Sequence, residues 1–251
     1  MVYISHLLKD EDMLRLTQEY DCGIESIEFS VADNLDNLPQ NIYSYRRRLE
    51  KLECEKLTIH GPFLDLNPMS YDSLALENTF IRYEQAYQAA KALGAKKIVY
   101  HTCYIPRVYL LIKWADRVAD FYKKFLENKE GIEVLMENVQ DPEIAPILQV
   151  AKKVDHPDFG LCLDIGHANC YSKSSVMKWT ANLAPYVRHV HVHDNDGTAD
   201  KHLGIGMGNI PVKEVLEQII RENPKATMTI ECSQTQHVED SIKWLKQNGF
   251  M

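Results

Sequence analysis

Eight short runs rich in β-branched and apolar residues alternate along this chain with longer stretches of helical spacing, and no other feature narrows the fold as much. The runs are VYISH, GIESIEFS, KLTIHGPF, KKIVYHTC, IEVLMENV, FGLCLDIGHA, VRHVHVHD and TMTIECS. Helical spacing runs through Met13 to Tyr20, Ile42 to Leu52, Leu76 to Leu93, Val108 to Leu126, Ile144 to Val154, Val176 to Leu183, Val212 to Ile220 and Ile242 to Leu245. In the third of these, Phe80, Tyr83, Tyr87, Ala90 and Leu93 recur at three- and four-residue steps, and Gly94 supplies a stop. No linker or composition break interrupts the alternation, so residues 1–251 read as one domain. A doubly wound open sheet would show a glycine-rich turn after its first strand, where this chain has SHLLKDED. The predicted fold is therefore α/β, a single-domain (β/α)₈ TIM barrel, whose usual length is about 250 residues.

Composition enters as a filter on partners. A formal net charge of −8 argues against a broad electrostatic grip on polyphosphate, so nucleic acid is not the expected partner. No apolar window is long enough to span a bilayer, and MVYISHLLKD lacks the layout of a signal peptide, which leads to the expectation of a cytoplasmic protein. Cys22, Cys54, Cys103, Cys162, Cys170 and Cys232 show no CxxC spacing and read as reduced core or near-core thiols.

In a barrel of this kind the active site is built where the strands end, so the polar residue closing each run is the informative one. His60 closes the third, His101 the fourth, Glu137 the fifth, and Asp164 with His167 the sixth. His191 and His193 close the seventh, Asp200 and His202 follow in its loop, and Glu231 closes the eighth. Each follows an apolar run belonging to a barrel wall, so all point toward one small volume. Ionisable groups gathered there need counter-charge. A divalent cation supplies it, and imidazole with carboxylate suits Zn²⁺ or Mn²⁺.

Along His189, His191 and His193 the side chains share one face. His191 has the depth of a ligand, His193 lies beyond it as a substrate or supporting group, and His189 sits deeper. Glu28 ends the second run and is a candidate substrate contact, whereas Glu133 begins its strand and reads as structural. His6, His156 and His237 read as surface or packing residues, and Arg46, Arg47 and Arg48 as a solvated helix face, like Lys123–Lys124 and Lys152–Lys153. The stretch GIGMGN, Gly204 to Asn209, has the look of a phosphate cradle, but is equally a flexible turn folding Asp200 and His202 back over the site.

At these residues the sequence resembles the xylose isomerase-like TIM barrel superfamily, which holds sugar and sugar phosphate isomerases and epimerases together with the apurinic endonuclease IV family. The likeness covers the whole chain in order. It implies up to three metal ions on His60, His101, Glu137, Asp164, His167, His191, Asp200, His202 and Glu231, the nine positions of the endonuclease IV pattern. The segment HGPFLDLNP is more similar to the isomerase and epimerase branch. That branch implies one metal on Glu137, Asp164, His191 and Glu231, with Glu137 and Glu231 also moving protons. Phe63 and Leu64 stand where the endonucleases place DNA-contacting residues, yet the short βα loops leave little room for DNA-penetrating segments. The expected function is metal-dependent isomerisation or epimerisation of a small sugar or sugar phosphate, with Glu28, Phe63 and His193 against substrate. Metal-assisted phosphodiester or phosphate hydrolysis is the alternative.

Overall fold

The computed structural model describes all 251 residues and closes eight parallel strands into a barrel in sequence order, each paired with the next and the last with the first. The strands are β1 Val2–Ser5, β2 Gly23–Ser26, β3 Leu57–His60, β4 Lys97–His101, β5 Glu133–Glu137, β6 Phe159–Asp164, β7 Val187–Val192 and β8 Thr227–Ile230. The helices are α1 Asp10–Tyr20, α2 Ala32–Asp36, α3 Leu38–Lys51, α4 Ser73–Leu93, α5 Trp114–Leu126, α6 Ile144–Val154, α7 Ile165–Tyr171, α8 Val176–Leu183, α9 Val212–Glu222 and α10 Thr235–Gln247. The α/β barrel expected from the sequence is the fold observed.

Strand alternation divides the apolar residues into two layers. Ile24, Ile59, Ile98, Val134, Leu163, Val190 and Ile230 belong to the large core between sheet and helices. Val99, Leu135 and Cys162 form a separate buried trio. Two residues further along the same strands stand His101, Glu137 and Asp164, so this trio floors the polar site above it. At the opposite end of the barrel, Lys97 is buried with its ammonium 2.6 Å from Glu133 and 2.8 Å from the carbonyl of Arg188. Glu133 also pairs with Arg188 at 3.1 Å, in keeping with its structural reading.

Some boundaries differ from the sequence expectation, each for a local reason. The run GIESIEFS is strand only to Ser26; Glu28–Ser30 turn as a 3₁₀ segment, where the Ser30 hydroxyl bonds the carbonyl of Ile27 at 2.7 Å. The run FGLCLDIGHA leaves the sheet at Asp164, whose carboxylate accepts the amide of His167 at 2.7 Å and starts α7. The helix read from Val108 begins only at Trp114, after a turn in which Val108, Leu110 and Ile112 are exposed.

Candidate metal centre at the barrel mouth

The nine strand-end and loop residues converge on the mouth. Glu137, Asp164, His167, His191, His60 and Glu231 are buried, while His101, Asp200 and His202 are partly exposed toward the opening. The opening is a cavity of about 470 Å³. Leu7, Ile27 and Phe63 give it an apolar wall, and Ser30, Ser233 and Lys201 a polar one.

Three imidazoles are anchored in the same way. His60 donates its Nδ1–H to the carbonyl of Gly61 at 2.9 Å, His167 to that of Asn138 at 3.0 Å, and His202 to that of Glu231 at 2.6 Å. A carbonyl only accepts, so Nδ1 carries the proton and Nε2 is left to face the carboxylates. Forward of these anchors, His60 Nε2 and His101 Nε2 both stand 3.5 Å from Glu137 Oε2. His167 Nε2 and His202 Nε2 both stand 3.2 Å from Asp200 Oδ2. The Nδ1 atom of His191 lies 3.3 Å from Glu137 Oε1, 3.7 Å from Glu231 Oε2 and 3.9 Å from Asp164 Oδ2.

The electrostatics follow from this mutual packing. Burial alone would raise Glu137, but His191, His101 and His167 outweigh it and hold the carboxyl well below its usual range. Asp164 is also lowered, by His167 and His193 against burial. Burial pulls His191 and His167 down, yet both end well above the ordinary imidazole value: His191 sits among Cys162, Glu25 and Glu137, and His167 among Asp164, Asp200 and Glu137. His202 rises to about 9, its burial overcome by Asp200 and Glu231. His101 falls to about 3, chiefly through burial, and its Nε2 lies 3.1 Å from His60 Nε2.

These residues fit a divalent cation. Protons on the imidazoles and a cation with neutral imidazoles balance the same carboxylates. Glu137 Oε2, His191 Nδ1 and Asp200 Oδ1 are buried without a hydrogen-bond partner and face the shared volume, an arrangement costly for bare polar atoms and natural for ligands. Several donor separations are close to the roughly 3.3 Å expected between ligand atoms around a tetrahedral ion with bonds of about 2.0 Å.

The supporting residues were mostly invisible in the sequence. Asn138 pairs with Asp164 like a strand neighbour, donating to its carbonyl at 2.9 Å and accepting from its amide at 3.0 Å. The glycine-rich loop after β7 is already filled. The Asp194 carboxylate accepts the amides of Gly206 at 3.0 Å, Gly208 at 2.9 Å, Ile210 at 3.2 Å and Asn195 at 2.8 Å. A Cβ at Gly208 would meet the Asn195 carbonyl oxygen at 2.2 Å. The loop is thus a nest for an internal carboxylate, and it delivers Asp200 and His202 to the mouth. Asp194 also pairs with Leu203 through both backbone groups.

The candidate substrate residues diverge. Phe63 lines the cavity. His193 is fully buried, its Nε2 3.2 Å from each Asp164 oxygen, and its ring fits only because residue 166 is glycine, where a Cβ would lie 1.9 Å from it. Glu28 does not line the mouth cavity; it pairs with Arg48 at 3.3 Å and accepts from Asn34. Arg48, read as part of a solvated face, also holds Asp10 at 2.6 Å. His6 packs against Tyr45 with a 2.9 Å contact. The acid on β2 that does point into the barrel is Glu25, fully buried 2.9 Å from His191 Nε2, which the sequence reading passed over.

With fold and donor set in place, the chain belongs to the xylose isomerase-like TIM barrel family, whose model matches residues 16–248. It is 30% identical over 221 residues to the uncharacterized protein MJ1311 of Methanocaldococcus jannaschii, spanning 82% of this chain and 72% of that one. Among solved structures it is similar to a D-tagatose 3-epimerase-like protein, with a TM-score of 0.79, 25% identity, and 98% and 96% of the two chains covered. It is also similar to the TTHB071 protein from Thermus thermophilus, soaked with ZnCl₂, with a TM-score of 0.76, 25% identity, and 98% and 97% covered. No helix is long and apolar enough to cross a membrane.

Proposed function

We propose that this protein is a divalent-metal-dependent isomerase or epimerase acting on a small sugar or sugar phosphate. The observation that carries the reading is the convergence of Glu137, from the end of β5, and Glu231, from the end of β8, on His191 Nδ1 at 3.3 and 3.7 Å, beside a cavity with an apolar wall. Similarity to a D-tagatose 3-epimerase-like protein supports the substrate class. Glu137, Asp164, His191 and Glu231 would hold one ion, and His60, His101, His167, Asp200 and His202 provide for up to two more; Zn²⁺ and Mn²⁺ suit this donor set. Such a metal supplies polarisation of a substrate carbonyl, which acidifies the neighbouring C–H.

The side chains supply the rest. Glu137, held as a carboxylate, and Glu231 exchange one proton with the substrate: one takes it from the carbon next to the carbonyl, and the other, in its acid form, returns one, so the conversion is redox-neutral. Phe63, Leu7 and Ile27 exclude water from one side of the sugar, and Ser30, Ser233 and Lys201 offer polar contacts to hydroxyls or a phosphate. His193 orients Asp164.

The completeness of the nine-donor set favours a second reading, metal-assisted phosphodiester or phosphate hydrolysis. Metal analysis of the purified protein, followed by parallel assays on keto sugars, sugar phosphates and abasic DNA, separates the two. Interconversion of a sugar without strand incision is the expected result; salt-sensitive binding and incision of abasic duplex would reverse the order.

A further inference from the structure

His191 is held differently from the other anchored imidazoles at the mouth. His60, His167 and His202 each give Nδ1–H to a main-chain carbonyl and turn Nε2 forward. His191 turns Nδ1 forward, toward Glu137, Glu231 and Asp164, and its Nε2 looks down the barrel with no carbonyl to bond. What stands there is Glu25 Oε1, at 2.9 Å.

We propose that Glu25 is the positioning residue for His191: its Oε1 accepts from Nε2–H, holding the proton on Nε2, and so fixes the tautomer in which Nδ1 is the free, forward-facing atom for a metal. The inference rests on the metal-dependent reading above. Three observations support it. Glu25 and His191 are both fully buried, and neither Glu25 Oε1 nor His191 Nε2 has a hydrogen-bond partner elsewhere, so each is the other's only means of offsetting its desolvation. The carboxylate cannot rotate away, because Oε2 accepts the Thr229 hydroxyl at 2.7 Å and faces His189 Nε2 at 3.1 Å. His189 is fixed in turn by the Thr227 hydroxyl, 2.6 Å from its Nδ1. Two threonines and a histidine thus aim one carboxylate oxygen at the rear of one imidazole.

The chemistry of the side chain sets the test. A glutamine at residue 25 that satisfied Thr229 and His189 through its oxygen would turn its NH₂ toward His191. It would then donate to Nε2 and favour the proton on Nδ1, the tautomer with no forward lone pair. Partners that orient a ligating histidine are typically worth 10- to 100-fold in metal affinity. Zn²⁺ and Mn²⁺ titrated separately into chelator-stripped Glu25→Gln should bind about 10- to 100-fold more weakly than to wild type. Nitrogen-15 spectra should place the imidazole proton on His191 Nε2 in Zn²⁺-loaded wild type, and on Nδ1 in the metal-free variant at alkaline pH. Thr229→Val, which removes the hydroxyl bonded to Oε2 but keeps Oε1 opposite His191 Nε2, should give a smaller loss of affinity. Equal metal affinity in Glu25→Gln with the tautomer unchanged, or ligation of wild type through Nε2, would overturn the assignment of Glu25 alone. A wild type that takes up neither metal would overturn the metal reading and this inference with it. Should Glu25→Gln not fold, the wild-type spectrum decides.

Discussion

The ring of Phe63 lies over that of His101, with centroids 4.3 Å apart and planes 25° from parallel, and meets His60 edge-on at 5.6 Å. An aromatic residue that lines the cavity and also braces two candidate donor imidazoles joins the cavity wall to the candidate metal site. Phe63→Leu keeps an apolar surface but removes the stacking, worth about 0.5–1.5 kcal/mol for such pairs. The expected outcome is unchanged metal content and an apparent KM raised by up to about 10-fold on whichever sugar proves to be the substrate, read by steady-state kinetics. Loss of bound metal instead would make Phe63 a support of the imidazoles rather than a substrate contact.

Glu231→Gln removes a proton-transfer group while leaving one oxygen to face His191. Acid–base residues contribute about 10²- to 10⁴-fold. Turnover should fall by at least about 100-fold in a variant whose metal content, measured in the same preparation, is at least partly retained. Substantial activity in the metal-verified variant would exclude a proton-transfer role.

The Asp194 nest predicts a coupled loss. Asp194→Asn replaces an acceptor-only carboxylate with a group that has one acceptor oxygen for four backbone amides. Hydrogen bonds to a charged group are worth about 1.5–3 kcal/mol each. A shift of 1 kcal/mol moves Tm by about 2–4 °C in a chain of this size. Calorimetry should therefore show a fall of several degrees. Elemental analysis should show a loss of about one ion, matching the double variant Asp200→Ala and His202→Ala. If the double variant keeps its metal while substrate affinity drops, the loop is a substrate clamp and the hydrolytic reading loses its main support.

Asp141, which is not itself one of the candidate donors but feels the charge of His167, gives a pH signature of its own. Burial raises it to about 6, although the Thr102 hydroxyl donates to it at 2.6 Å and the Val139 amide at 2.9 Å. A folded value above the unfolded one means that its contribution to stability is fully present below the unfolded value of about 4. That contribution is lost as pH rises through about 6. Carbon-13 titration should show a carboxyl midpoint near 6, and Thr102→Val should move it higher. A midpoint near 4 in the wild type would contradict the burial argument.

The convergence of the strand-end His, Asp and Glu residues was legible because each stands after an apolar run, and a barrel sends every such position to one mouth. The residues that hold them were not. Glu25 and Glu28 are three apart, so in an unbroken strand they leave on opposite faces and only one enters the barrel. Reading the whole run as strand favoured Glu28, whereas the chain turns after Ser26 and Glu25 is the one inside. Asp194 was hidden for another reason. A glycine-rich loop announces a carboxylate or phosphate guest, but nothing local says that the guest is the chain's own side chain. Asn138 pairs with a backbone on another strand, a contact that no spacing rule reports.

His189 and His191 on β7, and His193 one residue past its end, alternate along the chain with Val190 and Val192. Because the side-chain period is two, slipping this strand by one residue would turn all three histidines off their face and put a valine in the place of His191 whichever way it slipped. The strand therefore has a parity as well as a sequence. Insertion or deletion of a single residue between Val187 and His189 should abolish the site as completely as replacing all three imidazoles, while a pair of residues inserted there would keep the face and shift only the depth. The register of this strand thus tolerates substitution but not a one-residue change of length, which only the flanking loops can absorb.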